Sequence, residues 1–234
     1  MADRKRRSLV TPFAPQWSVK LAVLLLVAAP SHADSTSPVE PNQAPESFLA
    51  LLDGLAAMPG FESRFVEEKS IALLVETLKS EGRLFFVPPA SLIRRTDPPH
   101  ASEIRVTPNE VIISEAGGTR RIDLASHDGV RPLVESILWI FSGDRAAIEQ
   151  AYLVDYRAGD EPPSGAWTLT LVPRFEPSSH LVRKLEIRGV GRSATSFEVV
   201  ETSGDRTTTR LLDANPARVF TPEERERLFE IDGQ

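Results

Sequence analysis

From Phe61 to Leu212 apolar and polar side chains alternate with a period of two, the spacing of a strand with one face buried. Phe61, Ser63 and Phe65 share one face, opposite Glu62, Arg64 and Val66. Short strands follow at Gly82 to Phe86, Ser91 to Thr96, Glu103 to Val106, Val111 to Ile113 and Arg120 to Leu124. The turn signals Pro88-Pro89, Asp97-Pro98-Pro99, Pro108-Asn109 and Gly117-Gly118 separate them. A second run comprises Leu153 to Tyr156, Ala166 to Val172, Leu181 to Arg188, Ser196 to Glu201 and Thr207 to Leu212, with Ser203-Gly204-Asp205 as a hairpin turn. Strands so short and closely spaced pair as antiparallel meanders. A sheet of ten or more strands cannot stay flat, so the pattern predicts a barrel or half-barrel with a concave apolar face.

Helical spacing appears in three places. Glu46 to Met58 sets Phe48, Leu49, Leu51, Leu52, Leu55 and Ala56 at helical intervals before Pro59-Gly60 stops it. Between the two runs of strands, Pro132 opens a helix carrying Leu133, Val134, Ile137, Leu138, Trp139, Ile140 and Phe141, with Gly143 at its end and Asp144 capping a further turn. Apolar residues cover most of this helix's circumference, which a helix on a solvated surface could not tolerate, so it is expected to plug or lid the concavity. Thr221-Pro222-Glu223-Glu224 has the form of a capping box and predicts a terminal helix.

The N-terminal segment changes the picture of where the protein works. Arg4 to Arg7 and Lys20 precede the apolar run Leu21 to Ala29, and Ser31-His32-Ala33 offers small residues for cleavage, so residues 1–33 are expected to be a signal peptide. The apolar run is about half the ~20 residues a spanning helix needs. Asp34 to Pro45 is polar and Pro-rich and reads as a flexible leader, leaving residues 46–234 as one domain. There is no cysteine, so the fold rests on its core without disulfides. The chain has 33 acidic against 27 basic residues, and the signal segment holds five of the basic ones and one acidic. The remaining acidic surface repels phosphate backbones, which argues against nucleic acid as a partner.

Candidate chemistry is sparse. After cleavage His100, His127 and His180 remain, none at metal-ligand spacing, so no metal or other cofactor is expected. Asp123, His127 and Asp128 could form an acid-base cluster, but no nucleophile motif accompanies them and the segment reads as a polar loop; no enzyme is expected. Phe65, Leu84, Phe86, Trp167, Leu169, Leu171, Phe197 and Val199 are the expected apolar face of the concavity. Alternation alone does not distinguish a filled core from a cavity.

Phe61-Glu62-Ser63-Arg64-Phe65-Val66-Glu67-Glu68-Lys69, followed by Glu81-Gly82-Arg83-Leu84-Phe85-Phe86-Val87-Pro88-Pro89, resembles the F-x-x-x-F-x-Q-x-K and G-x-L-x-x-x-x-P segments of the LolA family of periplasmic lipoprotein carriers. The order of elements also matches over most of the chain. The resemblance implies an incomplete antiparallel β-barrel, mainly β with α, whose helices lid a hydrophobic cavity. It implies a monomeric carrier that shields the acyl chains of a lipoprotein or lipid between an inner-membrane exporter and an outer-membrane acceptor. The eight apolar residues above would line the cavity, and Leu133, Ile137, Leu138 and Phe141 would form the lid. The family's lid-locking arginine stands just before the proline ending the second strand, where this chain has Pro88, which has no donor. Arg94 or Arg95 is the expected substitute, its inward guanidinium bonding carbonyls at a lid-helix end. The alternatives are a periplasmic lipid-sensing regulator and a structural protein that binds no lipid.

Overall fold

The computed structural model describes residues 47–72, 76–127, 131–159, 165–191 and 193–229. The segments read as signal peptide and leader lie outside the described residues.

Eleven strands form one antiparallel sheet: β1 (Phe61–Ser70), β2 (Leu78–Val87), β3 (Ser91–Thr96), β4 (Ser102–Val106), β5 (Glu110–Glu115), β6 (Gly118–Asp123), β7 (Tyr152–Ala158), β8 (Ala166–Pro173), β9 (Val182–Val190), β10 (Ser193–Glu201) and β11 (Arg206–Asn215). Their order is β6-β5-β4-β3-β2-β1-β11-β10-β9-β8-β7. Two meanders are thus joined where the first strand pairs with the last, Phe65 opposite Leu211 and Glu67 opposite Thr209. The edges β6 and β7 are not paired with each other, so the sheet is an incomplete barrel.

The helices occupy the breaks in the meander. Helix α1 (Phe48–Ala56) leads into β1, with Ala50 N–H donating to the Ser47 side chain at its start. It buries Leu51, Leu52 and Leu55, each worth roughly 1.5–3 kcal/mol of transfer out of water. The connection between edges β6 and β7 carries α2 (Arg131–Ser142) and α3 (Arg145–Ala151), the latter capped by Asp144 accepting from Ala147 N–H. Gly143 turns the chain between them at φ +68°, and a Cβ there would press on Leu52 and Ala56 of α1. A turn of helix, α4 (Ser178–Leu181), precedes β9 and takes up Leu181, which the alternation assigned to the strand. Helix α5 (Pro222–Phe229) closes the chain with its expected capping box: Glu224 N–H donates to Thr221 Oγ1, and Thr221 N–H to the Glu224 carboxylate.

Two apolar clusters result. The larger joins α1, α2 and α3 to the concave face of the sheet. The smaller lies on the outer face, where Phe85, Val87 and Ile93 meet Phe220 and Leu228 of the C-terminal segment. Arg218 secures that segment with bonds to Glu62 and Glu224.

Candidate functional site: the concave face

Antiparallel register determines which side chains share the concave face. Phe61 lies opposite Phe86, Ser63 opposite Leu84 and Glu67 opposite Ser80; Leu84 then faces Arg94 on β3. On the other side Thr209 faces Phe197, Phe197 faces Ile187, and Ile187 faces Leu169. Phe65, Leu84, Phe86, Trp167, Leu169, Leu171, Phe197 and Val199 therefore fall on one surface, and all eight are buried in the larger cluster. The same cluster contains Ile137, Leu138 and Phe141 of α2. The Phe141 ring stacks on Phe86, centroids 4.1 Å apart and planes 14° from parallel. The side chain of Leu133, the fourth expected lid residue, lies outside the described residues.

Helix α2 also makes a polar attachment that the sequence did not disclose. Tyr152, at the start of edge strand β7, donates its phenol proton to Ser136 Oγ at 2.6 Å in the interior. Burial pushes the Tyr152 phenol up, with the Ser136 bond opposing. Tyr156, further along the same face, is pushed up to about 12 by burial. No sequence signal marks the Tyr152–Ser136 pair: a serine inside an apolar helix and a tyrosine at a strand end each look ordinary.

Beyond Phe65 the concave face turns polar. Strand β1 runs on to Ser70 and β2 begins at Leu78, both beyond the expected ends, because the residues that extend them are charged or hydroxylic and hide the alternation. Arg94 and Glu67 form an ion pair of 3.0 Å with only 8% and 12% of their side chains exposed. Glu67 also accepts from Ser80 Oγ at 3.3 Å and Thr209 Oγ1 at 3.1 Å. The Arg94 guanidinium lies 4.4 Å from the centroid of the Phe65 ring, a cation–π contact that covers the last apolar residue β1 places on the concave face. One step further, Lys69 reaches within 3.7 Å of Glu201, and buried Thr207 lies opposite Lys69 on one side and Val199 on the other.

The two arginines of the expected lock face opposite sides of the sheet. Arg94 is the inward arginine, but its described partners are Glu67 and Ser80 within the sheet, not carbonyls of a lid helix. A carboxylate two strands away is the stronger acceptor, and burial of both groups favours the pair over a lone carbonyl contact. Arg95 points outward, paired with Glu103 and 5.7 Å from the Phe85 ring centroid.

The segment of Asp123 and His127, read as a polar loop, has a structural use. The Asp123 carboxylate accepts from Ala125 N–H and Ser126 Oγ to cap a short helical turn, and His127 contacts the Asp123 carbonyl on the surface; Asp128 lies outside the described residues. His180 is also on the surface, paired with Glu176. Among the described residues no group of three or more His, Asp or Glu side chains could hold a metal ion, and no helix is long and apolar enough to cross a membrane.

An open antiparallel half-barrel, its apolar concave face packed by a helical pair inserted between the sheet edges, is the class of protein defined by these observations. Residues 45–230 match the family model for outer membrane lipoprotein carrier protein LolA-like, and the chain belongs to that family. No curated protein sequence matches it. Among solved structures it is similar to a LolA superfamily protein from Nitrosomonas europaea, at 10% identity over 81% of this chain and 98% of that one, with a TM-score of 0.42. A DUF1329 family protein from Desulfovibrio piger is similar at 11% identity over 78% of this chain and 94% of the other, with a TM-score of 0.47. A chain of the Pseudomonas aeruginosa MucA/MucB complex aligns at 14% identity over 70% of this chain and 54% of its own length, with a TM-score of 0.38.

Proposed function

We propose that this protein is a periplasmic carrier that shields acyl chains of a lipoprotein or lipid on its concave face, taking them from an inner-membrane exporter to an outer-membrane acceptor. The observation that carries this reading is the way the open barrel is filled. Helix α2 sits on the apolar face through side-chain packing, Phe141 on Phe86, whereas every sheet seam is held by backbone hydrogen bonds. Lifting the helix breaks apolar contacts that an acyl chain can replace. Opening a seam would strand buried backbone groups. Each methylene sheltered from water is worth ~0.8 kcal/mol, so a long acyl chain can compete with the helix for that surface. The eight apolar residues from Phe65 to Val199 are then the walls, and Ile137, Leu138 and Phe141 the part of the lid that leaves or shifts.

The test is saturable binding of a fluorescent fatty-acyl probe together with hydrogen exchange across residues 131–142. Binding is expected to raise exchange in α2 relative to the sheet. Tyr152→Phe removes one buried hydrogen bond, worth about 1 kcal/mol, and should speed probe uptake about fivefold with little change in the folded sheet. Absence of probe binding, or identical α2 protection with and without probe, would overturn the reading.

A further inference from the structure

The polar end of the concave face contains more hydrogen-bond donors than its own acceptors engage. Glu67 forms the ion pair with Arg94 and accepts from Ser80 and Thr209. Arg94 meets Glu67 and Ser80 through Nη2, and among the described residues its Nε and Nη1 make no hydrogen bond. The Lys69 ammonium stands 3.7 Å from Glu201, an ion pair beyond hydrogen-bond distance. Thr207, 1% exposed, has a buried hydroxyl oxygen without a partner among the described residues. A buried hydroxyl left unpaired costs about 1–3 kcal/mol, so its presence calls for an explanation.

Position and charge narrow what could meet these donors. Arg94 lies directly on Phe65, so the polar cluster begins where the apolar wall ends. A molecule whose chains lie on that wall would present here the group that joins the chains to the rest of it. Two cations, Arg94 and Lys69, stand against three carboxylates, Glu67, Glu201 and Asp205. Asp205 is already bonded to Ala72 N–H, and Glu201 has one buried oxygen without a hydrogen bond. A phosphate would therefore enter a region with an excess of negative charge. An uncharged acceptor would not, and it would still gain charge-assisted bonds from Arg94 and Lys69.

We propose that Arg94, Thr207 and Lys69 form a binding site for the ester carbonyls through which acyl chains are attached to glycerol, so that the protein selects esterified cargo over chains lacking a carbonyl. This rests on the carrier reading above and adds a class of cargo to it. The neighbouring carboxylates Glu67 and Glu201 hold the two cations in place and discourage anionic headgroups from entering.

The experiment compares lipids of equal chain length as competitors of the fluorescent acyl probe: a dipalmitoyl glycerol, its dihexadecyl ether counterpart and a dipalmitoyl phosphatidylglycerol. One charge-assisted bond corresponds to about a tenfold preference, so the ester should displace the probe roughly ten times better than the ether, with no further gain from the phosphate. Thr207→Val removes a buried unpaired hydroxyl without stranding a charge and should fold normally. Arg94→Lys keeps the charge beside Glu67 but loses the guanidinium fork. Both should bring the ester-to-ether preference down toward unity. Equal displacement by ester and ether, persistence of the preference in both variants, or much tighter binding of the phosphate lipid would overturn this inference alone. Failure of every lipid to bind would overturn it together with the carrier reading.

Discussion

Arg94→Leu tests whether the buried Arg94–Glu67 pair holds the middle of the sheet together. It removes the guanidinium that bonds Glu67 at 3.0 Å and covers the Phe65 ring at 4.4 Å. The Glu67 carboxylate then stays buried with only the hydroxyls of Ser80 and Thr209 to solvate it. Removing one partner of a buried pair costs about 3–5 kcal/mol; the two remaining hydroxyls place this case at the lower end, about 3 kcal/mol. In a domain of this size that lowers Tm by roughly 6–12 °C. Glu67→Gln keeps an acceptor for both hydroxyls but removes the charge facing Arg94, and should cost about 1–2 kcal/mol. In the double variant no charge is stranded, so it should be no less stable than Arg94→Leu alone, giving a coupling of about 2 kcal/mol. Urea denaturation of the four proteins measures the cycle. Additive single effects, or Arg94→Leu within 1 kcal/mol of wild type, would show that the pair is solvated and that the polar cluster is not an integral part of the fold.

Two further perturbations probe the second meander. Gly189 lies against the indole of Trp167, whose Nε1–H donates to the Gly191 carbonyl at 2.8 Å, and a Cβ at residue 189 would penetrate the ring. Gly189→Ala should displace the indole, red-shift the tryptophan emission and cost roughly 2–4 kcal/mol; unchanged emission and stability would mean that the indole has room to move. Burial raises the Glu201 pKa above its ordinary 4.5, with Lys69 opposing and Asp205 reinforcing. The folded state thus holds this proton more tightly than the unfolded chain, so its contribution to stability falls as pH rises from about 4.5 through the raised value. Glu201→Gln lacks that slope, and its stability relative to wild type should rise over the same window in urea titrations at stepped pH. Parallel profiles would refute the assignment.

What was legible in the sequence, and what was not, follows from how much each feature depends on its neighbours along the chain. Strand alternation and the Thr221–Glu224 capping box are local, and they appear in the structure where the pattern placed them. Even the concave face could be read, because a period of two assigns Leu84 and Phe86, or Leu169 and Leu171, to one side without knowledge of the partner strand. The partners themselves could not be read. That Arg94 meets Glu67 depends on β3, β2 and β1 lying side by side in one register, so that Leu84 faces Arg94 while Ser80 faces Glu67. A one-residue slip would turn the arginine outward. The polar ends of β1 and β2 were missed for a related reason: Glu67, Lys69 and Ser80 look like a loop until the ion pair and hydroxyls across the sheet show that they satisfy one another. A charge in a strand pattern is therefore ambiguous by itself; it ends the strand when water is its partner and extends the strand when the neighbouring strand supplies one. In this protein the second case places the only buried arginine–glutamate pair of the described concave face directly against its last aromatic residue, Phe65, so the boundary between the apolar wall and the donors beyond it is fixed by the pairing of β1 with β2 and with β11, a strand from the far end of the chain.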